Sequence, residues 1–205
     1  MQVTVAKTAG FCFGVRRALE LTQKSAALSP TCTLGELIHN RQVVEELAGQ
    51  GVTVIERPED APAGAAVVIR SHGVGPQVYD TLRAQGSPVI DATCPFVKRI
   101  HQIAAEVPED GLLLLAGRRE HPEVQGINGW CGNTAVILES PEEAWTAELD
   151  SEKDYAVVVQ TTFRQSKFDD MLAILREKGL KMEIFQTICS ATEKRQKEAM
   201  ELSQN

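Results

Sequence analysis

The 205-residue chain contains no apolar run approaching the ~20 residues that a bilayer-spanning helix needs; its longest, Ala61–Ile69 and Leu112–Gly117, stop well short. A transmembrane helix is therefore excluded. It also lacks any C-x-x-C pair, and its five cysteines are an odd count scattered far apart, which argues against a disulfide scaffold and against a zinc ribbon. Positive charge is in deficit. With 21 basic against 28 acidic residues and a net charge of −7, the bulk field repels nucleic acid and anionic membrane surfaces. Neither is expected as a partner, and any anionic ligand has to be gripped locally. The opening MQVTVAKTAGFCFGV sets Lys7 and two glycines where a secretion leader would need an unbroken apolar core, so the thiols are expected in reducing cytoplasm. No low-complexity tract, linker or long-period repeat interrupts the chain, and 43% hydrophobic with 24% charged residues is an ordinary globular mixture.

What is present is alternation. Short β-rich runs, at Gln2–Ala6, Thr31–Glu36, Val52–Glu56, Ala65–Arg70, Pro88–Asp91, Gly111–Ala116, Thr134–Leu138, Tyr155–Gln160 and Lys181–Phe185, alternate with longer stretches of helical spacing. Those helices are expected over Val15–Ala27, Arg41–Gly49, Pro76–Gln85, Pro95–Glu106, Pro141–Leu149, Arg164–Lys178 and Ala191–Ser203. The grammar predicts an α/β fold of mainly parallel sheet flanked by helices. Pro95 suits the first turn of a helix and Gly179 the left-handed residue that ends one. The loop Val107–Gly111 offers a break, and the boundary is placed near the Cys94–Pro95 turn.

In parallel α/β folds ligands bind beyond the carboxyl ends of strands, where helix N-termini offer free N–H groups. Cys12, His39, His72, Cys94, His121, Glu123, Thr161 and Cys189 all fall at such ends. Cys12, Cys94 and Cys189 each lie among small or turn residues before a helix, a position that favours the thiolate that metals bind. A single free cysteine is by default a small buried hydrophobe, and Cys32 and Cys131 are assigned to that default. Positions 12, 94 and 189 are 82 and 95 residues apart, so only converging strand ends could assemble them into one site. Three soft ligands without an evident fourth suit an iron-sulfur cluster with one iron open, whereas structural zinc closes its fourth position. His39 and His72, beside asparagine and glycine at strand exits, could donate to a diphosphate, against the plain alternative of solvated loop histidines. His121 and Glu123 in a Pro-containing turn are a possible acid pair or a charged surface loop. Thr161 offers a hydroxyl that could hold a substrate oxygen or cap a helix.

Taken in order, GFCFGVRRA, GELIHN followed by VVEEL, RSHGV, DATCPFV, HPEVQGINGW, QTT and TICSATEKRQ resemble the 4-hydroxy-3-methylbut-2-enyl diphosphate reductase family, along the whole chain. The resemblance implies a trefoil of similar small α/β domains around a central four-iron four-sulfur cluster, here 1–94, 95–187 and the start of a third at 188–205. It implies Cys12, Cys94 and Cys189 as cluster ligands with one iron open, and His39, His72 and His121 on the substrate diphosphate. Glu123 is implied as the proton-delivering acid and Thr161 as the hydroxyl beside the substrate alcohol. The implied reaction is two-electron reductive dehydroxylation to isopentenyl and dimethylallyl diphosphate, with electrons from a small protein such as ferredoxin or flavodoxin. Family members continue past the helix after the third cysteine, so a truncated or incompletely determined third domain is expected, with the apolar face of Ala191–Leu202 lacking its sheet. The rivals are a catalytically incomplete cluster-binding redox or assembly module, which would have no need of His121, Glu123 and Thr161, and a zinc hydrolase, which the soft three-thiolate set disfavours.

Overall fold

The computed structural model describes residues 3–204. Contacts divide the chain into two units. One gathers Phe13–Glu106 with Glu120–Thr134; the other gathers the segment ending at Cys12, Val107–Arg119 and the chain from Ala135 onward.

The first unit runs α1 (Phe13–Ala26), β1 (Thr31–Leu34), α2 (Arg41–Gly49), β2 (Thr53–Ile55), a 3-10 turn at Pro58–Asp60, β3 (Ala66–Ile69), α3 (Pro76–Ala84), β4 (Val89–Asp91) and α4 (Pro95–Ala105), and takes in α5 (Pro122–Trp130). Its strands form a four-stranded sheet in the order β2-β1-β3-β4, with every pair parallel. Buried on both faces, β1 and β3 read as nearly continuous apolar or small runs, TCTL and AVVI. Successive side chains take opposite faces. Val68 joins Ala18, Leu37, Val43 and Leu47, whereas Val67 and Ile69 join Cys32, Leu34, Ile55 and Leu82. Asn40 opens α2 by accepting the N–H of Val43 at 3.2 Å, one of the donors a helix start leaves unpaired.

The second unit contains β5 (Leu112–Ala116), β6 (Val136–Leu138), α6 (Pro141–Thr146), β7 (Asp154–Val159), α7 (Gln165–Glu177), β8 (Lys181–Ile184) and α8 (Ser190–Ser203). Its sheet, β6-β5-β7-β8, is again all parallel. Leu114, Ala116, Val157 and Val159 pack with Phe163, Phe168, Met171 and Leu175 of α7 and the turn before it. Helix α8 buries none of its residues, and Met200 and Leu202 are exposed. It is fastened to the N-terminal segment: Glu198 accepts the N–H of Lys7 at 2.6 Å and of Thr8 at 2.8 Å, and Arg195 donates to the carbonyls of Thr8 at 3.1 Å and Gly10 at 2.6 Å.

The α/β architecture follows the alternation read from sequence, with two departures. The expected strand Gln2–Ala6 does not form over residues 3–6, and Gln2 lies outside the described residues. Val3 and Val5 are 72% and 76% exposed, so the alternating pattern there finds no neighbouring strand to bury it. The segment read as a Pro-containing turn around His121 continues into the nine-residue α5. Gly126 and Gly129 depress its helical propensity and weaken its apolar periodicity, and only packing accounts for them.

Candidate functional site

His39 lies in the loop between β1 and α2, His72 in the loop between β3 and α3, and His121 immediately before α5. All three belong to the first unit, and the fold brings them together. The His72 ring lies 5.4 Å from that of His39, nearly stacked at 30°, and 5.3 Å from that of His121, edge-on at 85°. His39 is the exposed member, its Nδ1 3.8 Å from the Glu36 carboxylate.

His72 is more enclosed. Burial, followed by the positive charge of Arg70 and the neighbouring histidines, pushes its pKa down to about 3. Near neutral pH it is an uncharged imidazole with one donor and one acceptor nitrogen. Its Nδ1 is buried without a hydrogen-bond partner among the described residues. Such a deficit costs ~1–3 kcal/mol, which a ligand group reaching that atom would offset.

His121 caps α5, its Nδ1 accepting the N–H of Glu123 at 3.1 Å. With Nδ1 accepting, the neutral ring carries its proton on Nε2, which makes that nitrogen a donor. Glu123 itself is only 2% exposed in the first turn of α5, where the helix dipole favours negative charge. Pro122 starts the helix at no hydrogen-bond cost.

Sequence reading overlooked Arg70. Its guanidinium lies so close to Gly35 that a Cβ there would stand 2.4 Å from Nη1 and displace it, and Gly35 takes φ +70°, which calls for glycine. The half-buried Arg70 guanidinium adds positive charge that helps to hold the His72 pKa down. An arginine directly after a buried strand and two residues before a histidine was the available signal.

Thr161 follows β7 in the second unit and is 7% exposed. Beside it, Gln160 accepts the N–H of Arg118 at 3.0 Å and donates to Thr162 at 2.9 Å.

None of the five cysteines is joined to another in a disulfide. Cys32 is wholly buried in β1, and burial pushes its thiol pKa up, as the hydrophobe reading requires. Cys131 ends α5 and its thiol donates to the carbonyl of Asn128 at 3.2 Å. Cys12, Cys94 and Cys189 are each half-buried at a helix start: Cys12 directly precedes α1, Cys94 caps α4 and Cys189 caps α8. The N–H of Cys94 donates to the Ser71 carbonyl at 3.0 Å, and that of Cys189 to the Thr161 carbonyl at 2.9 Å. Among the described residues no three His, Cys, Asp or Glu side chains gather around a single metal ion. A cluster distributes its thiolates over separate irons, and three half-buried thiols at helix starts fit such a group in donor chemistry.

Residues 3–205 match the family described as LytB protein. The chain is 43% identical over 209 residues to the 4-hydroxy-3-methylbut-2-enyl diphosphate reductase of Thermoanaerobacter sp. (strain X514), covering 99% of this chain and 72% of that relative. It is 37% identical to the enzyme of the same name from Clostridioides difficile (strain 630) over 206 residues, 99% of this chain and 74% of the relative. Among solved structures, the E-1-hydroxy-2-methyl-but-2-enyl-4-diphosphate reductase of Plasmodium falciparum superimposes with a TM-score of 0.85 at 28% identity, over 92% of this chain and 61% of that one. A second, a (E)-4-hydroxy-3-methyl-but-2-enyl diphosphate reductase described as the terminal enzyme of the non-mevalonate pathway, gives 0.83 at 35% identity, over 98% and 72%. The chain thus spans about three fifths to three quarters of the length of the proteins it resembles.

Proposed function

The chain belongs to the LytB family, and from that premise we propose that it reduces 4-hydroxy-3-methylbut-2-enyl diphosphate to isopentenyl and dimethylallyl diphosphate. In this reaction the allylic C–O bond breaks, a C–H bond forms, two electrons and two protons are consumed, and water leaves. The observation that carries the reading is the gathering of His39, His72 and His121 beside the buried Glu123. It is the arrangement expected for an anionic head next to a proton source, and the curated relatives are named for that substrate.

Cys12, Cys94 and Cys189 would hold a four-iron four-sulfur cluster with one iron open. When bound, that group supplies single electrons and Lewis acidity toward the allylic hydroxyl. The remaining work falls to side chains. A neutral His72 and the Nε2–H of His121 donate hydrogen bonds to diphosphate oxygens, His39 closes the outer side, and Arg70 contributes positive potential. Glu123, with its own N–H on His121 and its side chain shielded from water, is assigned as the acid that delivers a proton to the substrate. The hydroxyl of Thr161 is assigned to the substrate alcohol. A ferredoxin or flavodoxin would supply the electrons, and a reducing compartment such as cytoplasm would keep the thiols available. On this reading 1–94 and 95–187 are two α/β domains and 188–205 opens a third; the fall of β1–β4 in the first and β5–β8 in the second supports the division, whereas α4 and α5 gather with the first sheet and the segment ending at Cys12 with the second.

The test is calorimetric titration of the purified protein with inorganic pyrophosphate. His39→Ala and His72→Ala should each weaken binding by ~1.5–3 kcal/mol, the range for a hydrogen bond to a charged group. Unchanged affinity in both returns these histidines to solvated loop residues.

A further inference from the structure

His101, a histidine with no role in the proposed function, lies behind the loop that carries His72. It is 4% exposed on α4 and stacks on Trp130 of α5, with ring centroids 5.4 Å apart and planes at 22°. The Trp130 indole N–H donates to the carbonyl of Val74 at 2.9 Å. Gly73 adopts φ +71°, and a Cβ there would stand 2.4 Å from Cε1 of His101 and 2.9 Å from Cγ2 of Thr93. Gly75 meets the same helix, since a Cβ on Gly129 would come 2.9 Å from the Gly75 Cα. Three successive residues after His72 are thus each fixed from behind by α4 or α5, by ring, by hydrogen bond and by bare backbone contact.

The hold of His101 is one of shape. Its Nε2 has no hydrogen-bond partner among the described residues. The His101 and Trp130 pair also lines a cavity of about 490 Å³, together with Tyr79, Asp91 and Lys98. Removing the ring would leave the loop facing open space. Helix α5, with His121 at its start and Trp130 at its end, ties one member of the histidine cluster to the support of another.

We infer that His101 and Trp130 are positioning residues, which set the 71–75 loop so that His72 meets His39 and His121 in a geometry fit for a diphosphate. The inference rests on the reading of those histidines as the diphosphate site and extends it to two residues that touch no ligand. It accounts for the glycines of HPEVQGINGW and for the buried histidine six residues after Pro95.

The experiment pairs imidazole NMR of the purified protein, following the His72 resonances, with calorimetric titration of inorganic pyrophosphate. His101→Ala should shift the His72 resonances and weaken pyrophosphate by ~10-fold, the lower end of losing a hydrogen bond to a charged group. His101→Phe should restore both, because it returns a ring without the nitrogen. Trp130→Phe, which keeps a ring but drops the donor to Val74, should move both readouts in the direction of His101→Ala. Unmoved His72 resonances in a folded His101→Ala overturn the inference, and so does equal loss in His101→Phe. If His101→Ala does not fold, the two phenylalanine variants decide on the same readouts. If instead His72→Ala leaves pyrophosphate affinity unchanged, the diphosphate reading fails, while the resonance shift in His101→Ala still decides the positioning role.

Discussion

Both sheets run through the same order, second strand, first, third and fourth, with every neighbour parallel. Their loops have been put to different uses. After the third strand of the first unit come Arg70, Ser71 and His72; after the third strand of the second come Gln160, Thr161 and Thr162. In both, the residue two past that strand accepts the N–H of a cysteine that caps the helix after the fourth strand, Ser71 for Cys94 of α4 and Thr161 for Cys189 of α8. The cysteine positions are thus equivalent by backbone hydrogen bonding, whereas the flanking side chains diverge, and all four histidines fall in the first unit. A repeated scaffold fixes where a ligand atom can stand, and the loop residues decide what chemistry accompanies it.

The equivalence of Cys94 and Cys189 is tested most severely by serine. Either replacement should abolish the charge-transfer absorbance of anaerobically prepared protein, while Cys32→Ser and Cys131→Ser retain it. Full cluster content in Cys94→Ser would leave the two cysteines alike in backbone only. Next in size is Glu123→Gln, which keeps shape but cannot donate the proton. Turnover should fall by ~10²-fold to 10⁴-fold, with pyrophosphate affinity in the wild-type range.

The uneven distribution of histidines gives the units different acid sensitivity. Burial, more than the opposing effects of Asp91 and Lys98, holds the pKa of His101 down to about 4, against 6.5 when exposed. The unfolded chain therefore takes up a proton that the folded one refuses, so stability is full above pH 6.5 and declines as pH falls toward 4. The decline from this residue should be on the order of 2 kcal/mol, and His101→Phe should remove it. Urea unfolding followed at pH 7 and pH 4.5, with hydrogen exchange resolving the two sheets, checks that the first unit weakens before the second. Equal weakening of both would erase the distinction.

Glycine substitutions separate packing from propensity. Gly129→Ala meets the Gly75 backbone and should destabilise by ~1–3 kcal/mol, read from urea midpoints, although alanine is the better helix former. Gly49→Ala at the end of α2, where a Cβ meets nothing within 4 Å, should be neutral or stabilise by up to ~1 kcal/mol. The smallest effect is expected at Glu198→Gln, in the exposed fastening of α8 to the N-terminal segment. Amide exchange at Lys7 and Thr8 should quicken with little change in the unfolding midpoint.

Much of this was legible along the chain because it depends on local rules. Short β-rich runs gave β1 to β8 to within a residue or two at most ends, proline marked the starts of α3, α4 and α6, and Gly179 ended α7 in the left-handed conformation. Cys32 could be assigned to the core, and the histidines, Glu123, Cys94 and Cys189 could be placed at strand exits, whereas Cys12 follows no strand among the described residues and stands only before a helix. Pattern alone failed where a run needed a neighbour, as at Val3 and Val5, or where a helix was dictated from outside, as in α5. Alternating residues form a strand only if another strand accepts their hydrogen bonds, and glycines remain in a helix only if another backbone must come close. Tertiary structure alone decided that loops 33 and 49 residues apart bring the His39 and His121 rings each within 5.4 Å of that of His72. It also decided that Arg70 lies against Gly35 and that a ring on α4 stands behind the loop of His72, because contacts between distant segments follow from the packing of layers and leave no period in the sequence.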